Sequence, residues 1–243
     1  MEIKGLLFDV FGTVVDWRSG VSREVSVTFD ALGRNVDAEA FADSWRGKYQ
    51  PAMQAIRSGG RGYVPLDVLH RENLEATLAE FGLDDVLDEA GRTRLNRAWE
   101  KLPPWPDSVP GLAALKSGFI IASCSNGSIA LMTRLAKFGD LPWDAILGAE
   151  IAQDYKPQPA VYLASCAALG LEPAEVAMVA AHNEDLVAAR ATGLRTAFLP
   201  RPQEHGPGQT TDLEPSSDWD VVAADLLDLS RRLTPQVSAA PTR

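Results

Sequence analysis

Four short polar stretches in this 243-residue chain carry side chains that could do chemistry together. The first is "LLFDVFGT", where an apolar run ends on Asp9 and is followed by Phe11, Gly12 and Thr13. The second is "SCSNG", with Ser125 and Asn126, and the third is "DYKPQP", with Lys156. The fourth is "AAHNED", with His182, Asn183 and Asp185. A carboxylate can act as a nucleophile, and a lysine beside it keeps it ionised. Hydroxyl and amide groups can orient an anion, and a second acid can aim a water. Each stretch alone has a plainer explanation. An acid after a strand often forms a turn, Ser or Asn often caps the next helix, and a lysine before proline can be a solvated loop residue.

The surrounding patterns bring the four together. "KGLLFDV" is a short continuous apolar run, as expected of a strand buried on both faces. From about residue 20 to 100 the pattern turns helical, in "VSREVSVTFDAL", "DAEAFADSWRGKYQPAMQAI", "LDVLHRENLEATLAEFG" and "VLDEAGRTRLNRAWEKL", with Gly or Asp breaks between. The proline-rich "PPWPDSVPG" (103–111) ends that stretch. After it, strand-like and helix-like segments alternate, from "GFIIASCS" and "SIALMTRLAKFG" to "EVAMVAA", "EDLVAARATG", "RTAFLP" and "DWDVVAADLLDLSRRL". Alternation of this kind implies right-handed βαβ crossovers.

The expected fold class is therefore α/β, with a Rossmann-like parallel sheet core formed by 1–15 and 103–233. Residues 16–102 make an inserted helical cap after strand 1, and 234–243, "TPQVSAAPTR", form a flexible tail. Ligands of open α/β sheets bind beyond the carboxyl ends of the strands. The four polar stretches all follow strands, so they share one rim, and the insertion would hang over it.

Composition narrows the function. A formal net charge of −10 and the lack of any Lys/Arg-rich run argue against nucleic acid as a partner. An acidic surface also repels anions at long range, so an anion site must be locally positive. Cys124 and Cys166 lie in apolar contexts and form no C-x-x-C pair, as for buried thiols in a reducing compartment. No signal-peptide pattern and no apolar run of about 18 residues occurs, so the expectation is a cytoplasmic protein with no membrane partner.

Asp-x-x-Gly-Thr at Asp9–Thr13, then Ser-Asn, Lys-Pro and an acid-bearing loop, resembles the haloacid dehalogenase superfamily. The resemblance covers nearly the whole chain. "FDVFGT", "SNG", "YKPQPAVY" and "SWRGKY" resemble the type II 2-haloacid dehalogenases, and "AAHNEDLVAARATGLRTAF" with "PRPQEHGPGQ" resembles a branch with fluoroacetate-active members. Phosphatases of the superfamily carry a second Asp two residues after the nucleophile, as general acid on the leaving oxygen. Here that place is Phe11. Halide leaves without a proton, so a dehalogenase can do without the acid, and even a Phe11 that merely packs in the core removes it.

The resemblance implies that Asp9 attacks the halogen-bearing carbon of a short 2-haloacid and forms an ester, without metal or cofactor. Lys156 would hold Asp9 ionised, and Thr13 would bond the nucleophilic loop. The substrate carboxylate would meet Ser125 and the backbone N–H groups of Val10 and Phe11. Arg46 matches the halide-side arginine, with Asn126 a further candidate for that side; without the resemblance Arg46 reads as a surface arginine paired with an acid. Trp45 and Tyr49, four apart on one predicted helix, are pocket wall, interface or core. Asp185 would orient the hydrolytic water, and Tyr162 would lie near the lysine or simply pack. The better-known members have Ser-Ser-Asn-x-Trp-Asp where this chain has "AAHNED", which puts Ala180 and Ala181 at the serines, His182 at the Asn and Glu184 at the Trp. Serine support of the water and the tryptophan wall therefore do not carry over directly. His182, and with it Asn183, become candidate substrate-side residues, His182 as a donor to leaving halide or to the Lys156 network. A homodimer is the assembly the resemblance implies.

Two other readings compete. A Mg²⁺-dependent phosphatase or phosphonate hydrolase of the same superfamily could use Asp9 and Asp185 to bind the ion. A non-catalytic binding protein on the same fold is the other, and the joint presence of Asp9, Ser125, Lys156 and Asp185 speaks against it.

Overall fold

The opening apolar run forms β1 (Gly5–Phe8), buried along its whole length. In the computed structural model, which describes residues 2–233, five more strands follow: β2 (Ile120–Ser125), β3 (Ala145–Gly148), β4 (Val176–Ala180), β5 (Arg195–Phe198) and β6 (Val221–Val222). They make one parallel sheet of order β3-β2-β1-β4-β5-β6. β1 lies between β2 and β4, with Leu7 level with Ala122 and Met178. That inner position explains the unbroken apolar sequence. Leu6 and Phe8 project into one hydrophobic cluster and Leu7 into the other, and full burial of each contributes roughly 1.5–3 kcal/mol.

The helices are α1 (Trp17–Asp30), α2 (Ala38–Gly47), α3 (Tyr49–Arg57), α4 (Leu66–Glu80), α5 (Glu89–Asn96), α6 (Ser108–Lys116), α7 (Ile129–Gly139), α8 (Ala149–Ala152), α9 (Pro159–Leu169), α10 (Asn183–Ala191) and α11 (Leu226–Leu233). Helices α1 to α5 stand between β1 and β2 without an intervening strand, where the sequence places the helical insertion. The acids Asp16, Asp37 and Asp88 cap α1, α2 and α5 by accepting backbone N–H bonds at 3.0, 3.0 and 2.7 Å. Residues 234–243, expected to be a flexible tail, lie outside the described residues.

Two elements differ from the sequence reading. The single helix expected over 37–56 is two, broken at Lys48. Pro51, which lacks an N–H to continue the ladder of α2, fits the first turn of α3, where no such bond is needed. Trp45 and Tyr49 therefore sit on different helices. Trp45 is 1% exposed, donates its indole N–H to the His70 carbonyl at 2.9 Å and packs edge-on against Trp99. It belongs to the core of the helical segment, not to a pocket wall or interface. The second difference is α6, which starts inside the proline-rich stretch because Pro110 occupies its first turn.

Among the described residues, no helix is long and apolar enough to cross a membrane. Cys124 and Cys166 are free and buried, and burial pushes their thiols up to about 12 and about 11. Neither is reactive at neutral pH.

Candidate active site

Asp9 directly follows β1, and its backbone N–H continues the ladder to the Val179 carbonyl at 3.0 Å. The chain then turns sharply. Val14 and Val15 both donate to the Val10 carbonyl, and Gly12 adopts φ 88°, a left-handed conformation that suits glycine. Side chains distant in sequence hold this turn from outside. Trp105 donates to the Gly12 carbonyl at 2.8 Å, Ser108 to Val14 at 2.7 Å and Arg201 to Thr13 at 2.9 Å. Arg201 is itself fixed by a two-pronged bond to Asp107, at 2.7 and 2.8 Å.

Three donors converge on the Asp9 carboxylate. Lys156 Nζ reaches Oδ1 at 2.8 Å, and Thr13 Oγ1 donates to Oδ2 at 2.7 Å. His182 Nδ1 lies 3.1 Å from Oδ2. Thr13 is oriented by the Ala181 N–H, which donates to its hydroxyl at 2.9 Å and ties β1 to the end of β4. Burial alone would raise the Asp9 pKa, but Lys156 and His182 hold it far below the usual carboxylate range. Asp9 is therefore an ionised acid at 7% exposure, as a carboxylate nucleophile requires.

Lys156 also donates to Asp185 Oδ2 at 2.6 Å, and the Tyr162 hydroxyl donates to Oδ1 at 2.5 Å. Against the cost of burial, the two carboxylates raise Lys156 above its ordinary value, so it stays charged. Burial, followed by Asp185, keeps the Tyr162 phenol protonated. Tyr162 thus bonds the second acid, beyond simple helix packing. The loop carrying Lys156 is seated by Asn126, whose side-chain oxygen accepts from the Lys156 N–H at 2.8 Å. From the helical segment, Arg57 donates to the Lys156 carbonyl at 2.8 Å, while Tyr155 donates to Val64 at 2.7 Å.

These groups open onto a cavity of about 930 Å³ between the strand ends and helices α2 and α3. Asp9, Phe11, Asn126, Lys156, His182 and Asp185 line it from the strand rim, and Arg46, Tyr49 and Arg57 from the helical segment. The Arg46 guanidinium lies 4.0 Å above the Tyr49 ring and 5.4 Å from the Trp17 ring. Its buried Nη1 has no hydrogen-bond partner among the described residues, so the surface ion pair considered for it is not formed. Tyr49, unlike Trp45, does line the cavity.

Other expected residues stand further back. Ser125 is fully buried, and its hydroxyl accepts the Gly127 N–H at 3.0 Å, which leaves its own proton to donate. Val10 is fully buried, and the N–H groups of Val10 and Phe11 have no acceptor among the described residues. Asn183 does not line the cavity. Its side chain bonds Asp212 at 2.8 Å, the Glu214 carbonyl at 3.0 Å, the Ser216 N–H at 2.8 Å and the Trp219 indole at 2.9 Å, so it anchors the 212–219 loop instead of contacting substrate.

His182 departs most from expectation. It makes no bond to Lys156, and neither ring nitrogen is free for a halide. Nδ1 faces Asp9, and Nε2 lies 2.8 and 3.1 Å from the oxygens of Glu204. Although burial opposes charge, Glu204 and Asp9 raise His182 well above its ordinary value. Glu204 was missed in the sequence, although "PRPQEHGPGQ" stood out there. It is 1% exposed, accepts the Trp17 indole N–H at 3.0 Å and sits against Gly12, where a Cβ would collide with its carboxylate. Burial would raise its pKa, but His182 holds it below the usual carboxylate range.

Residues 3–193 match the family of haloacid dehalogenase-like hydrolases. Among curated proteins, the chain is 31% identical over 203 residues to (S)-2-haloacid dehalogenase 4A of Burkholderia cepacia, covering 82% of this chain and 84% of that one. It is 32% identical over 220 residues to the (S)-2-haloacid dehalogenase of Pseudomonas sp. (strain YL), covering 88% and 91%. Among solved structures, a defluorinating L-2-haloacid dehalogenase superposes with a TM-score of 0.93 at 52% identity, covering 95% of each chain. With its nucleophile-like Asp9, its paired Lys156 and this breadth of similarity, the chain belongs to the haloacid dehalogenase-like hydrolases and groups there with the 2-haloacid dehalogenases.

Proposed function

We propose that this protein hydrolyses the carbon–halogen bond of short 2-haloalkanoic acids, with inward-facing Asp9 as nucleophile, to give 2-hydroxy acids. The carrying observation is the setting of Asp9: its carboxylate is met by Lys156, Thr13 and His182, and two residues later stands Phe11 where a phosphatase would need an acid. Phe11 packs edge-on against Trp99 and lines the cavity, so the nucleophile has a dry wall beside it.

In the first half-reaction an Asp9 oxygen bonds to the substrate's C2 and the halide departs with the electron pair. The free N–H groups of Val10 and Phe11, with Ser125 behind them, suit the substrate carboxylate. Arg46, whose Nη1 lacks a partner, suits the departing halide. In the second half-reaction water attacks the ester at the Asp9 carboxyl carbon. The helical segment then acts as a cap over the rim, and its bonds to the Lys156 loop support that role. The names of the similar proteins support substrates of (S) configuration and a capacity to remove fluorine, for which fluoroacetate is the simplest probe. A cytoplasmic location and a homodimer belong to the same reading, and light scattering on the purified protein tests the second.

The phosphatase alternative fits less well. All four carboxylate oxygens of Asp9 and Asp185 already face Lys156, Thr13, His182 or Tyr162, and Phe11 stands where a phosphatase would carry its second acid. The test is halide release from fluoroacetate, chloroacetate and both 2-chloropropionate enantiomers, with and without EDTA. Release unaffected by EDTA, with ¹⁸O from labelled water entering Asp9 in a single turnover, is expected. Release abolished by EDTA, or no label in Asp9, overturns the mechanism.

A further inference from the structure

In the displacement His182 only helps Lys156 and Thr13 hold Asp9 ionised, and no step yet uses its proton or its partner Glu204. His182 follows β4 at the start of α10 and makes no capping bond with its side chain, which turns into the cavity. Its two nitrogens bridge Asp9 Oδ2 and the buried Glu204 carboxylate. Glu204 is held by the Trp17 indole and backed by Gly12. An imidazole with one nitrogen on a buried acid and the other on a reacting carboxyl is oriented for proton transfer. Asp185 is less free for that task, because both its oxygens already accept short bonds from Lys156 and Tyr162.

We propose that His182 is the general base that activates water against the Asp9 ester, and that Glu204 is the residue that positions it. This rests on the reading of Asp9 as the alkylated nucleophile. The charged groups facing the pair are Asp9 and Lys156 on the strand rim, His205 beside Glu204, and Arg46 from α2. In the resting enzyme His182 is an imidazolium between two carboxylates. Alkylation neutralises Asp9, so the imidazolium loses one of its two anions and gives its proton to solvent. The neutral Nδ1, beside the ester, takes a proton from water as the water oxygen bonds to the Asp9 carboxyl carbon. The tetrahedral adduct collapses, its bond to the hydroxy-acid oxygen breaks, and that oxygen takes the electron pair and the proton back from His182. The regenerated Asp9 acid then ionises and returns its proton to His182. Per turnover, one water is consumed and one proton and one halide are released.

The test is rapid-quench single turnover of chloroacetate with wild type, His182→Gln, Glu204→Gln and Glu204→Asp, reading halide and the mass of the Asp9 peptide. His182→Gln should release one halide per site and then stall with alkylated Asp9, with steady-state turnover down about 10²-fold or more. Glu204→Gln should also accumulate ester and move the acid limb of the hydrolysis step, and Glu204→Asp should restore part of the rate. In wild type, ester hydrolysis should fall as pH is lowered while ester formation holds steady. This last reading stands even where a variant fails to fold. The proposal is overturned if folded His182→Gln turns over without ester build-up, if it releases no first halide, or if wild-type hydrolysis is independent of pH. A wild type that releases no halide from any 2-haloacid sinks the proposed function itself, and this proposal with it. A wild type that turns over with a pH-independent second step sinks the dyad alone.

Discussion

Replacing Lys156 by Met tests the centre of the site, because one ammonium serves two buried acids. Its bonds of 2.8 and 2.6 Å place the Asp9 and Asp185 oxygens no more than about 5.5 Å apart. At an effective dielectric of ~20, that separation is about 3 kcal/mol of repulsion once the cation is gone. The three side chains are at most 10% exposed, so solvent screens little of it. Removing one partner of a buried ion pair costs about 3–5 kcal/mol, in line with this figure. For a chain of this size that is a drop in Tm of roughly 6–20 °C at neutral pH. The pH dependence follows from the signs. The folded-state pKa of Asp9 lies below its ordinary 3.8, so in wild type its contribution is present above that value and is lost as pH falls below it. In Lys156→Met the acids repel only while ionised, so the gap between variant and wild type should close as both are taken to acid. Thermal melts at pH 7 and at stepwise lower pH, with halide release on the same samples, read both effects. A Tm within about 2 °C of wild type at pH 7, a gap that does not change with pH, or a variant that still releases halide would refute the reasoning.

Two further substitutions test how the site is held. Gly12→Ala places a Cβ at φ 88° against the Glu204 carboxylate, and should cost at least ~2 kcal/mol in denaturant unfolding, while a neutral result would mean the turn is looser than drawn. Asn183→Ala removes four hydrogen bonds to the 212–219 loop and should speed amide exchange across that loop; halide release should stay within about threefold of wild type, since the side chain does not line the cavity, and a larger loss would return Asn183 to the site.

The sheet was legible because its signals are local. β1 is a continuous apolar run since it is buried on both faces between β2 and β4, and Asp9, Asn126 and His182 stand just past strand ends, with Lys156 a short helix beyond β3. The break between α2 and α3 was not legible. The apolar helical period continues through Lys48, and only the position of Pro51 within the first turn shows which helix it starts. The same reasoning hid α6 behind the prolines that open it. Asp9, Lys156 and Asp185 were brought to one rim by the strand pattern and given roles by the resemblance, and the structure adds the bonds between them. Glu204 could not be found that way. It lies in a Pro/Gly-rich loop after β5, and its partners Trp17 and His182 are set by tertiary packing that no local spacing encodes. Asn183 misled for the opposite reason: it sits beside His182 in sequence, but at the start of α10 the two side chains point to different neighbours.

The charges in the cleft explain why an anion is drawn to an acidic protein. Asp9 and Asp185 share Lys156, and Asp9 and Glu204 share His182. Each of these three acids touches a cation, but with two cations among them the cluster keeps one net negative charge, which a further cation must offset before an anion can bind. Arg46 is the exception on the positive side: its guanidinium faces two aromatic rings, and its Nη1 is buried without an acceptor. Aromatic faces offset only part of the cost of burying a charge, since such contacts contribute about 0.5–2 kcal/mol. A halide or a carboxylate placed there would supply the missing acceptor. The net charge of −10 therefore sets the long-range field, while the Arg46 guanidinium, unpaired among the described residues and lining the same cavity as Asp9, makes the site itself receptive to an anion. That arrangement favours a substrate small enough to touch both walls at once, with its carbon towards the carboxylate and its leaving group towards the arginine.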